Sequence, residues 1–218
     1  MRVIAVDTTS SQGSVALVDG AVVRGEEHLT GSDTHSIHLL PAIERLLLAS
    51  GVDPLALDAF AVAVGPGSFT GLRVGLSTVQ GLALAAGRPC LGACGLDVLA
   101  LASPGTPTMA LGDAFRGEVY WASYDGEGRP TGPPQVGPIA DALAQATQET
   151  AFVGDAAATH RAAITDRFPR AGFPRFPTFL AATLGLWAEP RLRAGQGSGA
   201  ESLRPLYVRA AEFRKASA

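Results

Sequence analysis

Phe60-Ala61-Val62-Ala63-Val64, followed by Gly65-Pro66-Gly67-Ser68-Phe69-Thr70-Gly71-Leu72-Arg73-Val74-Gly75, is the stretch on which the fold turns. Its first five residues form a short apolar run bounded by turn residues, the pattern of a strand covered on both faces. Gly65, Pro66 and Gly67 then reverse the backbone tightly. Beyond them Leu72, Leu76, Val79, Ala83 and Ala86 recur at helical spacing and Gly87-Arg88-Pro89 supplies a stop, so a helix is expected over 71–86. Gly71 and Gly75 lie one turn apart on one face of that helix, where another backbone can approach closely.

A glycine loop opening a helix suggests anion binding, because free N–H groups and the helix dipole attract phosphate. The spacing departs from the known phosphate loops. The glycines stand at 65, 67 and 71 rather than in G-x-G-x-x-G, and no Lys-Ser/Thr pair follows. The pattern favours a structural strand-to-helix joint over a phosphate cradle.

Working outward, the chain repeats its own layout. Residues 2–30 read as a strand ending at Asp7, a second strand over 14–18, an Asp19-Gly20 hairpin turn and a third strand over 21–27. A helix near 34–49, a strand over 60–64, the 71–86 helix and a strand over 90–94 follow. Residues 107–137 repeat the three-strand order: Met109 to Asp113, Glu118 to Tyr124, a turn at Asp125-Gly126-Glu127-Gly128, then a third strand. Helix 139–147, strand 151–154 and helix 157–168 come next. The alternation predicts an α/β sheet in each half, with lobes at 1–103 and 104–218 divided near Ser103-Pro104-Gly105-Thr106-Pro107. Beyond residue 178 the sequence predicts a further helix from Phe179 to Trp187, a Gly195-Gln196-Gly197-Ser198-Gly199 loop and a last amphipathic piece.

With 218 residues, 47% hydrophobic content and 17% charge, the chain can bury a sizeable core. Its net charge of −3 argues against tight nucleic-acid binding by this chain alone, which needs a concentrated basic surface. Asp7 follows the N-terminus too soon for a signal peptide, and no apolar run approaches ~20 residues, so a soluble cytoplasmic protein without membrane contact is expected. Cys90 and Cys94, four strand steps apart at ~3.3 Å each, are too distant for a disulfide and read as small buried residues.

Several segments taken together resemble a known family: Asp7-Thr8-Thr9 with Ser14-Val15-Ala16-Leu17, His35 to Pro41, the glycine loop, Asp113-Ala114-Phe115-Arg116-Gly117-Glu118-Val119-Tyr120 and Arg204-Pro205-Leu206-Tyr207-Val208-Arg209. They are similar to the TsaB (YeaZ-like) family of bacterial accessory proteins for threonylcarbamoyladenosine synthesis in tRNA. That family lies within the glycoprotease-like group of the actin/Hsp70/sugar-kinase (ASKHA) superfamily. The resemblance implies a two-lobed α/β fold of duplicated β-β-β-α-β-α units and a non-catalytic scaffold role in modifying tRNAs that read codons beginning with A. It implies docking on the catalytic subunit TsaD, recruitment of the ATPase TsaE, a homodimer when alone, and tRNA contact only through the complex. Aligned on the glycine loop, the metal-binding histidines of TsaD fall at Gly95 and Leu99, which offer no donor, so no intrinsic metal or cofactor is expected. ATP and Mg²⁺ would enter only weakly or through the complex.

In the superfamily, two strand-ending carboxylates flank a nucleotide's phosphates and metal, which makes Asp7, Thr8 and Asp113 a candidate nucleotide cleft. The alternative is that both aspartates cap turns. A small-molecule kinase or ATPase using Asp7 and Asp113 is therefore the rival function, and a homodimeric binding module without tRNA connection a third. Glu118, Asp155 and Glu201 are scattered singly, and no nucleophile elbow surrounds Ser68. His35 and His38, spaced i,i+3 near a helix start capped by Ser32 or Asp33, could share a metal but lack an evident third ligand. His35 matches the family pattern and His38 does not.

The same helix carries Ile37, Leu39, Leu40, Ile43, Leu46, Leu47 and Leu48 around more than one face. Pro41 inside it predicts a kink. A helix so apolar calls for cover from outside its lobe, and the resemblance implies pairing through this helix and the next. The expected interface is His35, Leu40, Ile43, Leu47, Gly71, Leu72, Gly75, Leu76 and Val79.

Overall fold

The computed structural model describes residues 1–29 and 35–209. Strand β1 (Arg2–Asp7) pairs antiparallel with β2 (Gly13–Asp19), which pairs with β3 (Val22–Leu29). Strands β4 (Ala59–Gly65) and β5 (Cys90–Cys94) add in parallel on the other side of β1, giving the order β3-β2-β1-β4-β5.

The near-continuous apolar runs are explained by cover on both faces. Strand side chains alternate, so Ile4 and Val6 of β1, with Phe60 and Val62 of β4, meet Leu39, Ile43 and Leu46 of α1 (His35–Ser50) and Leu76 and Val79 of α2 (Phe69–Ala86). Val3 and Ala5, with Ala59, Ala61 and Ala63, point the other way, onto a helix from the far end of the chain. Each Leu, Ile or Val side chain so buried stabilises the fold by about 1.5–3 kcal/mol.

Helix α2 begins at the Ser68 cap, whose Oγ accepts the Gly71 N–H at 3.3 Å. It stops at Gly87 in the left-handed conformation, where the Gly87 and Arg88 N–H groups reach back to Leu84 and Ala83 carbonyls. Helix α1 runs continuously from His35 to Ser50 through Pro41. Its expected cap at Ser32 or Asp33 lies outside the described residues.

α3 (Gly95–Ala100) follows β5 and leads to a second sheet of β6 (Thr108–Asp113), β7 (Glu118–Tyr124), β8 (Gln135–Pro138) and β9 (Ala151–Val153), in the order β8-β7-β6-β9. This repeats β3-β2-β1-β4 of the first, an antiparallel meander with one parallel strand beside its first member. α4 (Ile139–Ala144), α5 (Asp155–Thr159) and α6 (Arg161–Arg167) complete the second unit. Its core joins Met109, Leu111, Trp121, Phe152 and Ile164. The fold is thus the expected α/β arrangement of duplicated lobes.

The expected second lobe, 104–218, is corrected in one respect. α7 (Ala181–Arg193) crosses back and packs on β1, β2, β3, β4 and β5 of the first sheet, and Ala200 and Leu203 enter the first core. Without α7, the face carrying Val3, Ala5, Ala59 and Ala61 would lie open to water, so the first unit needs the end of the chain as its third layer. The segment 204–209 then straps the two units together. Leu206 N–H donates to the Val64 carbonyl at 2.7 Å, Tyr207 stacks on Phe69, and Arg209 pairs with Glu118. Among the described residues, no helix is long and apolar enough to cross a membrane.

Candidate functional site: the interlobe cleft and the two-helix face

The glycine loop is a joint. Ser68 N–H donates to the Thr9 carbonyl at 2.7 Å, the Thr8 hydroxyl donates to the Gly71 carbonyl at 2.8 Å, and a Cβ on Gly75 would lie 2.3 Å from the Thr8 Oγ1. The close approach that the two glycines permit is therefore made by the chain's own β1–β2 loop. Gly71 and Gly75 as partner-contact residues are corrected on that ground.

The loop borders a cleft of about 350 Å³ between the lobes, lined by Thr9, Ser10, Gly67, Gly95, Asp113 and Asp155 among others. Asp7 does not face it. Its carboxylate is 1% exposed, and Oδ1 accepts both the Thr9 N–H at 2.9 Å and the Thr9 hydroxyl at 2.7 Å. Burial pushes this carboxyl up, against the lowering effect of the Thr9 bonds and of nearby His35. Thr8 is equally buried. Asp113 is exposed to the cleft, and its Oδ1 accepts the Phe115 N–H at 2.9 Å in a turn of its own. The structure thus does not bring Asp7, Thr8 and Asp113 together as a phosphate and metal site. Asp7 and Thr8 turn inward to hold the joint.

Asp155, which stood alone in the sequence, is the residue that pairs with Asp113: its Oδ1 accepts the Asp113 N–H at 3.1 Å. Burial pushes its carboxyl up, and the Asp113 charge adds to this. Only the topology, which sets α5 against the end of β6, joins residues 42 positions apart.

His35 is half-buried, with Nε2 2.8 Å from the Ser10 carbonyl. A carbonyl only accepts, so Nε2 carries the proton here. His38 is exposed. Gly95 and Leu99 are buried on α3, Leu99 against Ala110 and Tyr120 of the second sheet. Among the described residues, no three His, Cys, Asp or Glu side chains gather in a metal-binding group. Both cysteines are free; burial raises each thiol, Cys94 to about 11.

The helices α1 and α2 lie side by side over the same face of the first sheet. Five residues expected to meet a partner are in the chain's own core: Ile43, Leu47, Leu72, Leu76 and Val79 are all at most 5% exposed. The helical period that links them marks their inward face, and this corrects their assignment to an interface. Leu40 remains, 53% exposed, and Ile37 and Leu48 of α1 and Leu84 of α2 also face outward. Sequence reasoning missed Leu84, which sits between core positions in the alternation of α2.

Comparison with known proteins places this geometry. Residues 30–204 match the family described as TsaD, tRNA N6-adenosine threonylcarbamoyltransferase. The chain is 38% identical over 128 residues to the tRNA threonylcarbamoyladenosine biosynthesis protein TsaB of Escherichia coli, covering 57% of this chain and 55% of that protein. It spans about half the length of such curated relatives. The structure of YeaZ from Pseudomonas aeruginosa superposes with a TM-score of 0.76 at 30% identity, covering 94% of this chain and 99% of that one. At 10% identity and a TM-score of 0.55, the ADPNP-bound activator of the 2-hydroxyisocaproyl-CoA dehydratase of Clostridium difficile shares the fold alone, over 95% and 100% of the two chains.

Proposed function

Because the chain belongs to the family of the tRNA N6-adenosine threonylcarbamoyltransferase TsaD, as a TsaB/YeaZ-like member, we propose that it is a non-catalytic scaffold subunit in the synthesis of threonylcarbamoyladenosine in tRNA. Its partner in this reading is the TsaD subunit, the pair recruits the ATPase TsaE, and two copies of the chain pair when alone. The observation that carries the reading is the outward apolar face of α1 and α2, with Ile37, Leu40, Leu48 and Leu84 exposed beside one another's helices. These four large apolar side chains on adjacent helices are the ones this reading has a partner cover.

The rival kinase or ATPase reading is weakened by Asp7, whose carboxylate is consumed by Thr9 and shut off from the cleft. Nucleotide and metal chemistry are assigned to the partner subunits. In this reading the protein works in the cytoplasm, where the complex meets its tRNA.

The test is reconstitution. The chain is purified with and without TsaD and TsaE, complex formation is followed by size-exclusion chromatography, and tRNA modification is assayed. The expected result is a stable complex with TsaD and modification that depends on the chain. Modification proceeding undiminished without the chain, or failure to bind TsaD, would sink the proposal.

A further inference from the structure

The strap 204–209 is held very differently at its two ends. Its root is built into the first unit: Leu203 is 5% exposed in the first core, and Gln80 of α2 donates to the Ala200 and Leu203 carbonyls at 3.2 and 3.3 Å. The pairing of β4 with β5 slips between Ala63 and Gly65, which leaves Val64 with no partner across the ladder. The Val64 carbonyl accepts the Leu206 N–H instead, at 2.7 Å. Gly65 makes room for this contact: its φ is 124°, and a Cβ on it would lie 2.7 Å from the Leu206 carbonyl oxygen. Tyr207 adds its stack on Phe69, with ring centroids 5.4 Å apart, and its hydroxyl accepts the Arg73 Nε–H at 3.1 Å.

The far end is held lightly. Val208 packs, half-buried, against the cluster that contains Leu96 and Leu99 of α3 with Ala110 and Tyr120 of the second sheet. Arg209 pairs with Glu118 at the start of β7, and the two side chains keep 29% and 36% of their surface in water. An ion pair so exposed contributes little and is weakened by salt. The cluster that Val208 covers is a seam between the units, since α3 packs on β4 and β5 of the first sheet and on β6 and β7 of the second. The same helix lines the interlobe cleft with Gly95, Leu96 and Leu99.

We infer that the strap is a releasable latch across this seam, in which residues 208–209 let go of the second unit while 203–207 stay seated on the first, and that its state sets the width of the interlobe cleft. The asymmetry decides which end opens. On one side stand a core leucine, a backbone hydrogen bond and a ring stack; on the other, one half-buried valine and one wet ion pair. Leu96 and Leu99 are buried against the second sheet, and the Tyr124 hydroxyl of β7 donates to Asp97 of α3 at 2.6 Å, so α3 stays with that sheet when the latch opens. Opening then draws Thr9, Ser10 and Gly67 on one wall of the cleft away from Asp113 and Asp155 on the other. This device goes beyond the scaffold reading and does not rest on it.

The chain carries its own reporters. Cys94, partly buried, packs on the same cluster as Val208, whereas Cys90 is 0% exposed in the first core. Burial holds the Cys94 thiol up at about 11. In the open form water reaches it and more of it ionises, so its alkylation counts open molecules. The experiment is iodoacetamide labelling of the full chain at fixed pH, with the two cysteines resolved by peptide mass spectrometry. Arg209→Ala should speed Cys94 labelling about 1.5- to 5-fold, and about 1 M salt should do the same to the parent but not to the variant. Adding Val208→Ser to Arg209→Ala should bring the gain above about 10-fold, with Cys90 labelling and the melting temperature left near the parent's. Arg209→Lys, which keeps the charge, should stay close to the parent. Cys94 labelling unchanged in the double variant would overturn the inference. So would Cys90 and Cys94 becoming reactive together as the melting temperature falls, because the strap would then be one cooperative unit with the fold. TsaD is absent from this test, so its failure leaves the scaffold reading standing, and failure to bind TsaD leaves the latch standing.

Discussion

The Thr8 hydroxyl donates to the Gly71 carbonyl at 2.8 Å, and a Cβ placed on Gly71 would lie 2.0 Å from the Thr8 backbone oxygen. The end of β1 and the start of α2 are thus clasped backbone to backbone. A methyl group cannot be relieved there by a rotamer change, because its neighbour is main chain. Gly71→Ala should cost about 3 kcal/mol, at the upper end of overpacking effects. Urea denaturation monitored by circular dichroism checks it. A loss below about 0.5 kcal/mol would mean that the loop yields.

Much of this fold was legible because periodicity reports burial. The unbroken apolar run from Phe60 to Val64 and the spacing of Leu72, Leu76, Val79 and Ala83 predict a buried strand and a helix, and both are there. The same signal does not say what does the burying. Leu76 and Val79 stand in the interface that the resemblance implies, yet the first core, with β4 and α1, covers them. Nothing in the local sequence of α7 shows that it returns to the first sheet, since its apolar stripe fits any alanine-lined face. The stacking of Tyr207 on Phe69 was illegible for a related reason: the two rings come from segments 138 positions apart.

Asp7 makes a pH prediction. Its carboxyl is raised above the ordinary 3.8 by burial. A group raised in the folded state contributes stability that is full below its unfolded pKa and lost as pH rises through its folded pKa. Ionised Asp7 therefore weighs against the fold at neutral pH. Asp7→Asn keeps the acceptor oxygen for Thr9 and removes that cost, so it should raise the melting temperature at pH 7 and leave it unchanged near pH 3. It should also still bind TsaD. A lower melting temperature at pH 7 would show that the charge is needed, as a metal or nucleotide role requires.

Glu189 behaves in the opposite sense. Burial alone would raise its carboxyl, but the Met1 ammonium at 2.9 Å and Arg193, one helical turn on, more than offset this and hold it below the ordinary 4.5. A depressed carboxylate contributes stability present above its unfolded pKa and lost as pH falls through its folded pKa. Glu189→Gln should lower the melting temperature at pH 7, where it leaves the half-buried Met1 ammonium and Arg193 poorly paired, and make little difference once the pH is well below 4. Thermal melts of both proteins across pH 2–8 provide the check.

The pairing face yields the sharpest contrast, between two leucines on adjacent helices. Leu40 is 53% exposed on α1 and Leu76 is 4% exposed on α2. A glutamate at position 40 meets water, so Leu40→Glu should leave the circular dichroism spectrum and melting temperature near those of the parent. Covered by an apolar partner, the same charge would be desolvated without a counter-ion, at a cost of several kcal/mol. It should therefore weaken the homodimer and the complex with TsaD by more than 100-fold. Leu76→Glu puts its charge against Val6 and Val62 in the first core and should simply unfold the chain. Size-exclusion chromatography with light scattering reads the pairing and the melt reads the fold. A folded Leu40→Glu chain that still pairs at the parent's affinity would move the interface off the α1–α2 face and leave the exposed Ile37, Leu48 and Leu84 without an account.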